Sequence, residues 1–138
     1  MLNKERSRRK LSRQEQRDLD IEIGFLHSLV QRDPQYEDAL RILSDDYSQR
    51  GKHAETVKVA ERLASLRPDD PHALYALACG YAQTRQFEAA VDALCRAVDR
   101  GYDDAKWILK DADLASLRKH PAFKRVRAKL KLPPARRR

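Results

Sequence analysis

An internal period of 34 residues is the feature that most constrains the fold of this chain. Tyr47 and Tyr81 are separated by this distance, and so are Pro34 and Pro68. The same spacing relates Leu40 to Leu74, Leu43 to Leu77, Gln49 to Gln83, Ala60 to Leu94, and Leu63 to Ala97. Periods of this length are typical of helix-turn-helix repeats, which stack because one repeat cannot bury its apolar face alone. The sequence therefore predicts an all-α solenoid.

Residues that begin, end or reverse helices fall between the apolar stretches. Ser12 followed by Glu15 is a capping-box pattern, which can begin the first helix. Gly51 can adopt the left-handed conformation that reverses the chain after a helix, and Asp70-Pro71 offers an N-cap followed by a first-turn proline. We expect helices at about 12–31, 35–50, 53–66, 71–84 and 87–99, a short helix around Trp107, and a final helix over 121–132. Because the joints are short, these helices should pack antiparallel to their neighbours.

Apolar residues at helical spacing define the expected core. The side chains that we expect to be largely buried are Phe25, Leu43, Tyr47, Leu63, Leu77, Tyr81, Leu94 and Trp107. Cys79 and Cys95 form no CxxC pair, and they are expected to be buried, reduced thiols. No apolar run approaches the ~18 residues of a membrane helix, and no apolar stretch follows the basic first ten residues as it would in a signal peptide. The sequence predicts a cytoplasmic protein.

Two sequence patterns support a family resemblance. Leu40-x-x-Leu43-Ser44-x-x-Tyr47, followed by Thr56-x-x-x-Ala60 and Pro68, is repeated as Leu74-x-x-Leu77-Ala78-x-x-Tyr81, followed by Ala90-x-x-x-Leu94. A C-terminal segment contains Gly101-Tyr102, Asp111-Ala112-Asp113-Leu114 and Pro121-x-Phe123. The repeated pattern resembles the tetratricopeptide repeat (TPR), and over about residues 18–130 the chain is similar to small bacterial TPR proteins that end in such a cap.

The resemblance implies a right-handed TPR solenoid of about seven antiparallel helices: a capping helix, two full repeats and a C-terminal cap. A single domain would cover residues 12–132, with repeats at about 37–70 and 71–104 and the cap at 105–132. Residues 1–11 would form a basic arm, and residues 133–138 a basic tail. The second repeat departs from the first because Arg85 replaces the turn glycine and Tyr102 replaces the proline. We expect these changes to loosen the turn and alter the exit.

The residues capable of catalysis do not form a recognisable site. The four histidines, His27, His53, His72 and His120, are dispersed without zinc-binding spacing. His72 and Cys79 are two helical turns apart, yet the sequence supplies neither an orienting third group nor an oxyanion loop. We expect no enzymatic activity, no metal, no cofactor and no small-molecule substrate.

In TPR proteins the first helix of each hairpin lines a concave binding face. The residues that the resemblance places there are Arg41, Asp45, Gln49, His72, Tyr75, Gln83, Lys106 and Lys110. Arg41, Lys106 and Lys110 match three positions of the carboxylate clamp of chaperone adaptors, whereas Asp45 and Ala76 stand where the clamp has asparagines. Three interpretations stay open: a carboxylate clamp, peptide binding in another mode, or a solvated surface. The favoured hypothesis is a protein-interaction adaptor that binds a peptide or protein partner on this face.

Charge asymmetry raises a competing hypothesis. Residues 1–17 carry seven Lys/Arg and two Glu, residues 118–138 carry ten Lys/Arg and no acid, and the middle of the chain is net acidic. The candidate polyanion-binding residues are Lys124, Arg125, Arg127, Lys129, Lys131, Arg136, Arg137 and Arg138. Such basic ends attract nucleic acid, so a nucleic-acid or ribosome-associated factor is the alternative function. A solvated, charged end is the simpler interpretation of the same residues.

Overall fold

The computed structural model describes residues 10–132, which form helices and connecting turns with no β-strand in that range. Eight α-helices lie within these residues: α1 (Arg13–Arg32), α2 (Glu37–Gln49), α3 (His53–Leu66), α4 (Pro71–Gln83), α5 (Phe87–Asp99), α6 (Ala105–Lys110), α7 (Ala115–Arg118) and α8 (Lys124–Lys129). The predicted all-α fold is confirmed. No helix in the described part of the chain is both long enough and apolar enough to cross a membrane.

The chain divides into two compact units, the first ending at Arg67 and the second beginning at Pro68. In the first unit α2 packs against both α1 and α3. In the second unit α4 packs against α5, and α5 also packs against α8. Side chains that are almost fully buried include Leu40, Leu43 and Leu63 in the first unit and Leu74, Val91, Leu94, Ile108, Leu114, Leu117, Phe123 and Val126 in the second.

The helix caps predicted from the sequence are present. The Ser12 hydroxyl accepts a hydrogen bond from the Glu15 amide, and the Glu15 carboxylate accepts one from the Ser12 amide, which completes the capping box of α1. The Asp70 carboxylate accepts hydrogen bonds from the amides of His72 and Ala73 at the start of α4. These bonds satisfy amides that have no partner within their helices.

Small residues are buried in both pairs of packed helices. Ser44 in α2, Ala78 in α4 and Ala90 in α5 are all buried, with exposed fractions of 4%, 0% and 0%. Because their side chains are short, the backbones of α2 and α3, and those of α4 and α5, can approach closely. The close approach required by the sequence pattern is therefore available at both hairpins.

The two hairpins have the same turn, 34 residues apart. After α2, Gly51 has φ +74° and the amide of Lys52 donates to the Tyr47 carbonyl at 2.8 Å. After α4, Arg85 has φ +62° and the amide of Gln86 donates to the Tyr81 carbonyl at 2.8 Å. This left-handed residue followed by a bond spanning five residues is the Schellman motif.

The expectation that Arg85 loosens its turn is wrong, because both turns keep the same hydrogen bonds. The arginine adopts a left-handed backbone that glycine occupies at no steric cost. Its guanidinium carbon lies 5.1 Å from the centroid of the Phe87 ring, a cation–π contact that can offset part of the strain.

The burial predictions are confirmed for six side chains and wrong for one. Leu43, Tyr47, Leu63, Leu77, Leu94 and Trp107 are buried. Tyr81 is only half-buried. Phe25 is 64% exposed, because α1 buries the face that carries Leu19, Ile23 and Leu26 and no other described element covers Phe25.

The C-terminal segment is more broken than predicted. The expected helix over 121–132 begins as a 3-10 turn at Pro121–Phe123, continues as α8 and ends at Lys129. Lys131 then takes φ +57°, so the chain leaves the helix before Leu132. The additional short helix α7 precedes it, which gives eight α-helices within residues 10–132 where about seven were expected.

Exchanging glycine for alanine should have opposite effects at Gly51 and Gly24. A Cβ at either position meets no atom within 4 Å, so steric clash does not decide the outcome. Gly51→Ala should destabilise the protein by about 1 kcal/mol, because alanine is strained at positive φ. Gly24→Ala, inside α1, should stabilise it by about 0.5–1 kcal/mol through helix propensity. Urea unfolding at low protein concentration measures both, and a loss of stability at Gly24 would contradict this account.

Candidate functional site

One face of α4 carries three of the residues predicted to bind a partner, His72, Tyr75 and Gln83, together with Cys79. His72, Tyr75, Cys79 and Gln83 recur at intervals of three and four residues, so they lie along one side of the helix. This face is covered in part by the turn after α6, because the 3-10 segment Ala112–Leu114 packs against α4. The contact brings residues that are about 30 positions apart into one polar cluster.

Asp111 is the acceptor at the centre of this cluster. The Tyr75 hydroxyl donates a short hydrogen bond to Oδ2 of Asp111, and the Cys79 thiol lies 3.9 Å from the same oxygen. The Gln83 side-chain amide donates to Oδ1 of Asp113 at 3.0 Å. We call these five residues, Tyr75, Cys79, Gln83, Asp111 and Asp113, the Asp111 cluster.

The local backbone explains why a carboxylate is held there. Asp111 follows the last residue of α6, and its Oδ1 accepts from the amide of Asp113 at 3.0 Å. The Arg118 guanidinium donates to the carbonyls of Asp111 and Ile108, at 2.7 and 2.9 Å. Asp111 itself is only 3% exposed. A carboxylate so buried requires donors, and the turn, α4 and the backbone supply them.

Aromatic rings extend the cluster towards the start of α4. The rings of Tyr75 and Tyr102 are stacked, with centroids 4.2 Å apart and an interplanar angle of 2°. The His72 ring meets the Tyr102 ring edge-on at 5.7 Å, and His72 is exposed. Tyr102 is 6% exposed and Tyr75 is half-buried. The aromatic stack is thus largely buried, and it reaches the surface at the exposed His72 imidazole.

Burial keeps the acidic protons of the cluster in place. Burial raises the pKa of Tyr75, and the neighbouring Cys79 and Asp111 raise it further. Burial likewise raises the pKa of the Cys79 thiol well above its usual value, and the carboxylates of Asp111 and Asp113 add to the effect. At neutral pH both groups are therefore protonated donors. A protonated thiol is neither a nucleophile nor a metal ligand.

The sulfur of Cys79 and carboxylate oxygens of Asp111 and Asp113 lie within 4.8 Å of one another. This spacing alone would suit a metal ion. Thiol ligands coordinate as thiolates, so a metal here would have to displace the proton that Cys79 keeps in the metal-free protein. The Asp111 oxygen also already accepts from Tyr75. We therefore treat the cluster as a hydrogen-bonded support for the face of α4.

Lys106 and Lys110 lie one turn apart on α6, and both are exposed. The Lys110 ammonium is 5.8 Å from the centroid of the Trp107 ring, a cation–π distance. Lys110 directly precedes Asp111 in the chain. The second unit thus contains five of the predicted residues: His72, Tyr75 and Gln83 lie on α4, and Lys106 and Lys110 lie on α6.

The other three predicted residues lie on α2 in the first unit. Arg41 and Gln49 are half-buried, whereas Asp45 is exposed. Oε1 of Gln49 is buried and has no hydrogen-bond partner among the described residues. Burial raises the pKa of Asp45 to about 6, and the positive charge of Arg41 opposes this shift. Although neighbouring atoms crowd the carboxylate, the Asp45 residue as a whole is exposed to solvent. Solvent screening therefore reduces the free energy that corresponds to this pKa shift.

The candidate polyanion-binding residues of α8 are partly neutralised by α5. Arg125 forms an ion pair with Asp92 at 2.8 Å, and Lys129 forms one with Asp99 at 2.7 Å. The Arg127 guanidinium lies 5.4 Å from the centroid of the Phe123 ring. Lys124 and Lys131 are exposed. Arg136, Arg137 and Arg138 lie outside the described residues.

Sequence reasoning missed two contributors to this site. Asp111 was assigned only to a turn, and Tyr102 only to a departure from the repeat pattern. Their partners lie far away along the chain, because Tyr75 bonds to Asp111 across 36 positions. The signal in the sequence was the spacing of Tyr75, Cys79 and Gln83, which puts three hydrogen-bond donors on one helical face. Three donors on one face indicate that acceptors lie opposite them.

Comparison with known proteins gives a partial similarity and no matching family. No protein-family model matches the chain. The chain is 35% identical over 80 residues to a chloroplastic protein of Arabidopsis thaliana. The match covers 56% of this chain and 24% of that protein, so the chain spans about a quarter of the length of the curated relative it matches.

Asp45→Asn should stabilise the protein at neutral pH and leave it unchanged at acidic pH. The pKa of Asp45 is about 6 in the folded protein and about 3.9 when unfolded. The carboxyl's contribution to stability is fully present below pH ~4 and is lost as the pH rises through about 6. Since Asp45 is exposed, we expect a gain of about 0.5–1 kcal/mol at pH 7 and no difference near pH 3.5. Urea unfolding across this range measures it.

Asp38→Asn is the matched control for the Asp45 experiment. It removes the same charge from the same helix, but Asp38 lies in the first turn of α2, where the helix dipole favours a carboxylate. Asp38→Asn should therefore give no gain at pH 7. A gain of equal size from both variants would show that net charge, and not the environment of Asp45, is responsible.

Tyr75→Phe should destabilise the protein by about 1–3 kcal/mol. The change keeps the aromatic ring but removes a donor from the buried Asp111 carboxylate, which leaves that group short of a partner. Tyr36→Phe is the control, because Tyr36 is 41% exposed and an exposed hydroxyl contributes little. Urea unfolding compares the two, and equal stabilities for Tyr75→Phe and the wild type would remove Asp111 from the centre of the cluster.

Proposed function

We propose that the chain is a non-enzymatic protein-interaction adaptor of the TPR class, built as a right-handed solenoid and working in the cytoplasm. One observation carries the proposal: the same helical hairpin occurs twice at a 34-residue period. Both copies have a small residue at the helix crossing, Ser44 or Ala78, and the same left-handed turn, at Gly51 or Arg85. Repeats of this kind present helical faces to protein partners.

The second unit offers the better supported binding face. It carries the half-buried Tyr75, whose ring stacks on the buried Tyr102, together with the exposed His72 and the exposed cations Lys106 and Lys110. Aromatic faces and cations are the groups that most often anchor a peptide. An acidic segment with an apolar or aromatic side chain matches this surface, because the lysines attract its carboxylates and the exposed part of the Tyr75 ring provides apolar contact.

The chemistry of the Asp111 cluster supports a binding role over catalysis. A nucleophilic cysteine needs a lowered pKa, whereas burial raises the pKa of Cys79. The hydroxyl of Tyr75 is committed to Asp111. The two candidate nucleophiles of the cluster, the Cys79 thiol and the Tyr75 hydroxyl, thus both keep their protons at neutral pH.

A nucleic-acid-associated factor ranks second. Two of the cations on α8, Arg125 and Lys129, already pair with carboxylates of α5. Phe123, the aromatic residue of this region, is 1% exposed and so presents no ring for stacking on a base. The ion pairs reduce the positive charge that α8 could offer to a polyanion, and the burial of Phe123 reduces the aromatic surface that it could offer.

A charge-reversal experiment tests the adaptor. The full chain, immobilised, is used to capture proteins from the cytosol of its source, in parallel with Lys106→Glu/Lys110→Glu. Lys58→Glu/Arg62→Glu is the matched control, because it reverses two exposed cations at the same spacing on α3. Quantitative mass spectrometry should find partners that the α6 variant loses and the α3 variant keeps.

The partners should also be displaced as salt is raised, because ionic contacts at an exposed surface are screened. If the wild type and both variants capture the same proteins in the same amounts, the α6 lysines are not part of a binding face. If RNA or DNA, and no protein, is recovered in a salt-dependent way, the second-ranked function replaces the adaptor.

A further inference from the structure

An apolar stripe on α1 faces away from the rest of the first unit. Ile21 is 73% exposed and Phe25 is 64% exposed, and they are one helical turn apart. Leu29, one turn further on, is half-buried. We call Ile21, Phe25 and Leu29 the Phe25 stripe. Large apolar side chains exposed in a row on one helix indicate an interaction surface rather than a random exposure.

The buried side of α1 is already occupied. It consists of Leu19, Ile23, Leu26 and Val30, which pack in the interface with α2. On the same side Asp20 pairs with Arg50 of the α2–α3 turn at 2.8 Å. The packing of this unit therefore does not use the Phe25 stripe. Only a contact with something other than the described residues would bury it.

Opposite charges stand at the two ends of the stripe. Asp18 lies seven residues before Phe25 and Arg32 seven residues after it, which is close to two helical turns in each direction. All three residues therefore lie nearly on one line along α1. Asp18 and Arg32 are both exposed, and neither forms an ion pair among the described residues.

This layout is self-complementary about Phe25. If a second α1 is laid antiparallel across the stripe with Phe25 at the two-fold axis, Asp18 of each copy faces Arg32 of the other. Ile21 of each copy then faces Leu29 of the other, and the two Phe25 rings meet. A parallel arrangement would place equal charges opposite each other. The charges therefore select an antiparallel, isologous contact, which is the symmetry of the commonest homodimers.

We propose that the protein forms a homodimer through antiparallel packing of α1 on α1, centred on Phe25. The alternative occupant within the same chain is the stretch before α1, but Lys4, Arg6, Arg8 and Arg9 give it one predominant sign of charge. The stripe instead carries one charge of each sign, which a second copy of itself matches. Because a single helix pair is small against the ~1,200–2,000 Å² of stable interfaces, the dimer is weak, with a dissociation constant on the order of micromolar.

Sedimentation equilibrium of the full chain at low salt tests the proposal. The wild type should be in monomer–dimer exchange. Phe25→Glu should weaken the dimer on the order of 100-fold or more, since it puts two carboxylates at the two-fold axis. Ile42→Glu is the control, because Ile42 is 44% exposed on α2, outside the stripe; it should leave the dimer unchanged.

Charge exchange tests the antiparallel register. Asp18→Arg alone, or Arg32→Asp alone, places like charges opposite each other at two points and should weaken self-association about tenfold at low salt. The double variant Asp18→Arg/Arg32→Asp should restore it. An equimolar mixture of the two single variants should form a heterodimer, because each supplies the charges that the other lacks. Circular dichroism of every variant confirms that the helices are retained.

Each other outcome overturns the proposal. If the wild type stays monomeric up to about 1 mM, far above a micromolar dissociation constant, a second copy of the chain does not cover the stripe. A dimer that is insensitive to Phe25→Glu lies elsewhere on the surface. Single variants that weaken the dimer without recovery in the double variant or the mixture exclude the antiparallel register. Lys106→Glu/Lys110→Glu should not change the dimer, so this test and that of the adaptor can fail separately.

Discussion

The close crossing of paired helices at small residues is the constraint on which both hairpins depend. Ala78 and Ala90 have no exposed surface at all. A larger side chain at either position would separate α4 from α5, and core side chains such as Leu74 and Leu94 would lose contacts that a close-packed interior requires. The turn then has to return the chain within a few residues, which the left-handed Gly51 and Arg85 accomplish. The helix crossing and the turn thus form one geometric unit. Because this unit occurs twice, its residues recur in the sequence with a period of 34.

Much of the fold could be predicted from the residue types at helix ends and turns, because these residues act locally. The caps at Ser12 and Asp70 and the reversal at Gly51 are residue types with one predominant use at such positions. Phe25 was placed wrongly for a specific reason: apolar residues surround much of α1, so its periodicity cannot say which face α2 covers. The final helix was extended too far because no proline or glycine marks its end before Lys131, which adopts a left-handed backbone without the residue type that usually signals it.

The candidate site was less predictable than the fold because its contacts are non-local. Repeat spacing put His72, Tyr75 and Gln83 on one helical face, and they do share it. The bond from Tyr75 to Asp111 depends on how the turn after α6 packs back on α4. A sequence does not display that packing. The sequence likewise does not show that Arg125 and Lys129 pair with carboxylates of α5, so both were predicted to be available to a polyanion.

The engagement of Tyr75 limits what the face of α4 can bind. Its hydroxyl is committed to Asp111, and its ring is stacked on Tyr102, so a ligand meets neither a spare hydroxyl donor nor two open ring faces. The His72 imidazole on α4 and the ammonium groups of Lys106 and Lys110 on α6 are exposed. In the proposed adaptor, these groups favour a ligand that carries carboxylates, because they donate hydrogen bonds or attract negative charge. The buried Asp111 contributes by accepting the Tyr75 hydroxyl, which fixes the ring that stacks on Tyr102. A side chain that is already fixed loses less conformational entropy when a ligand binds.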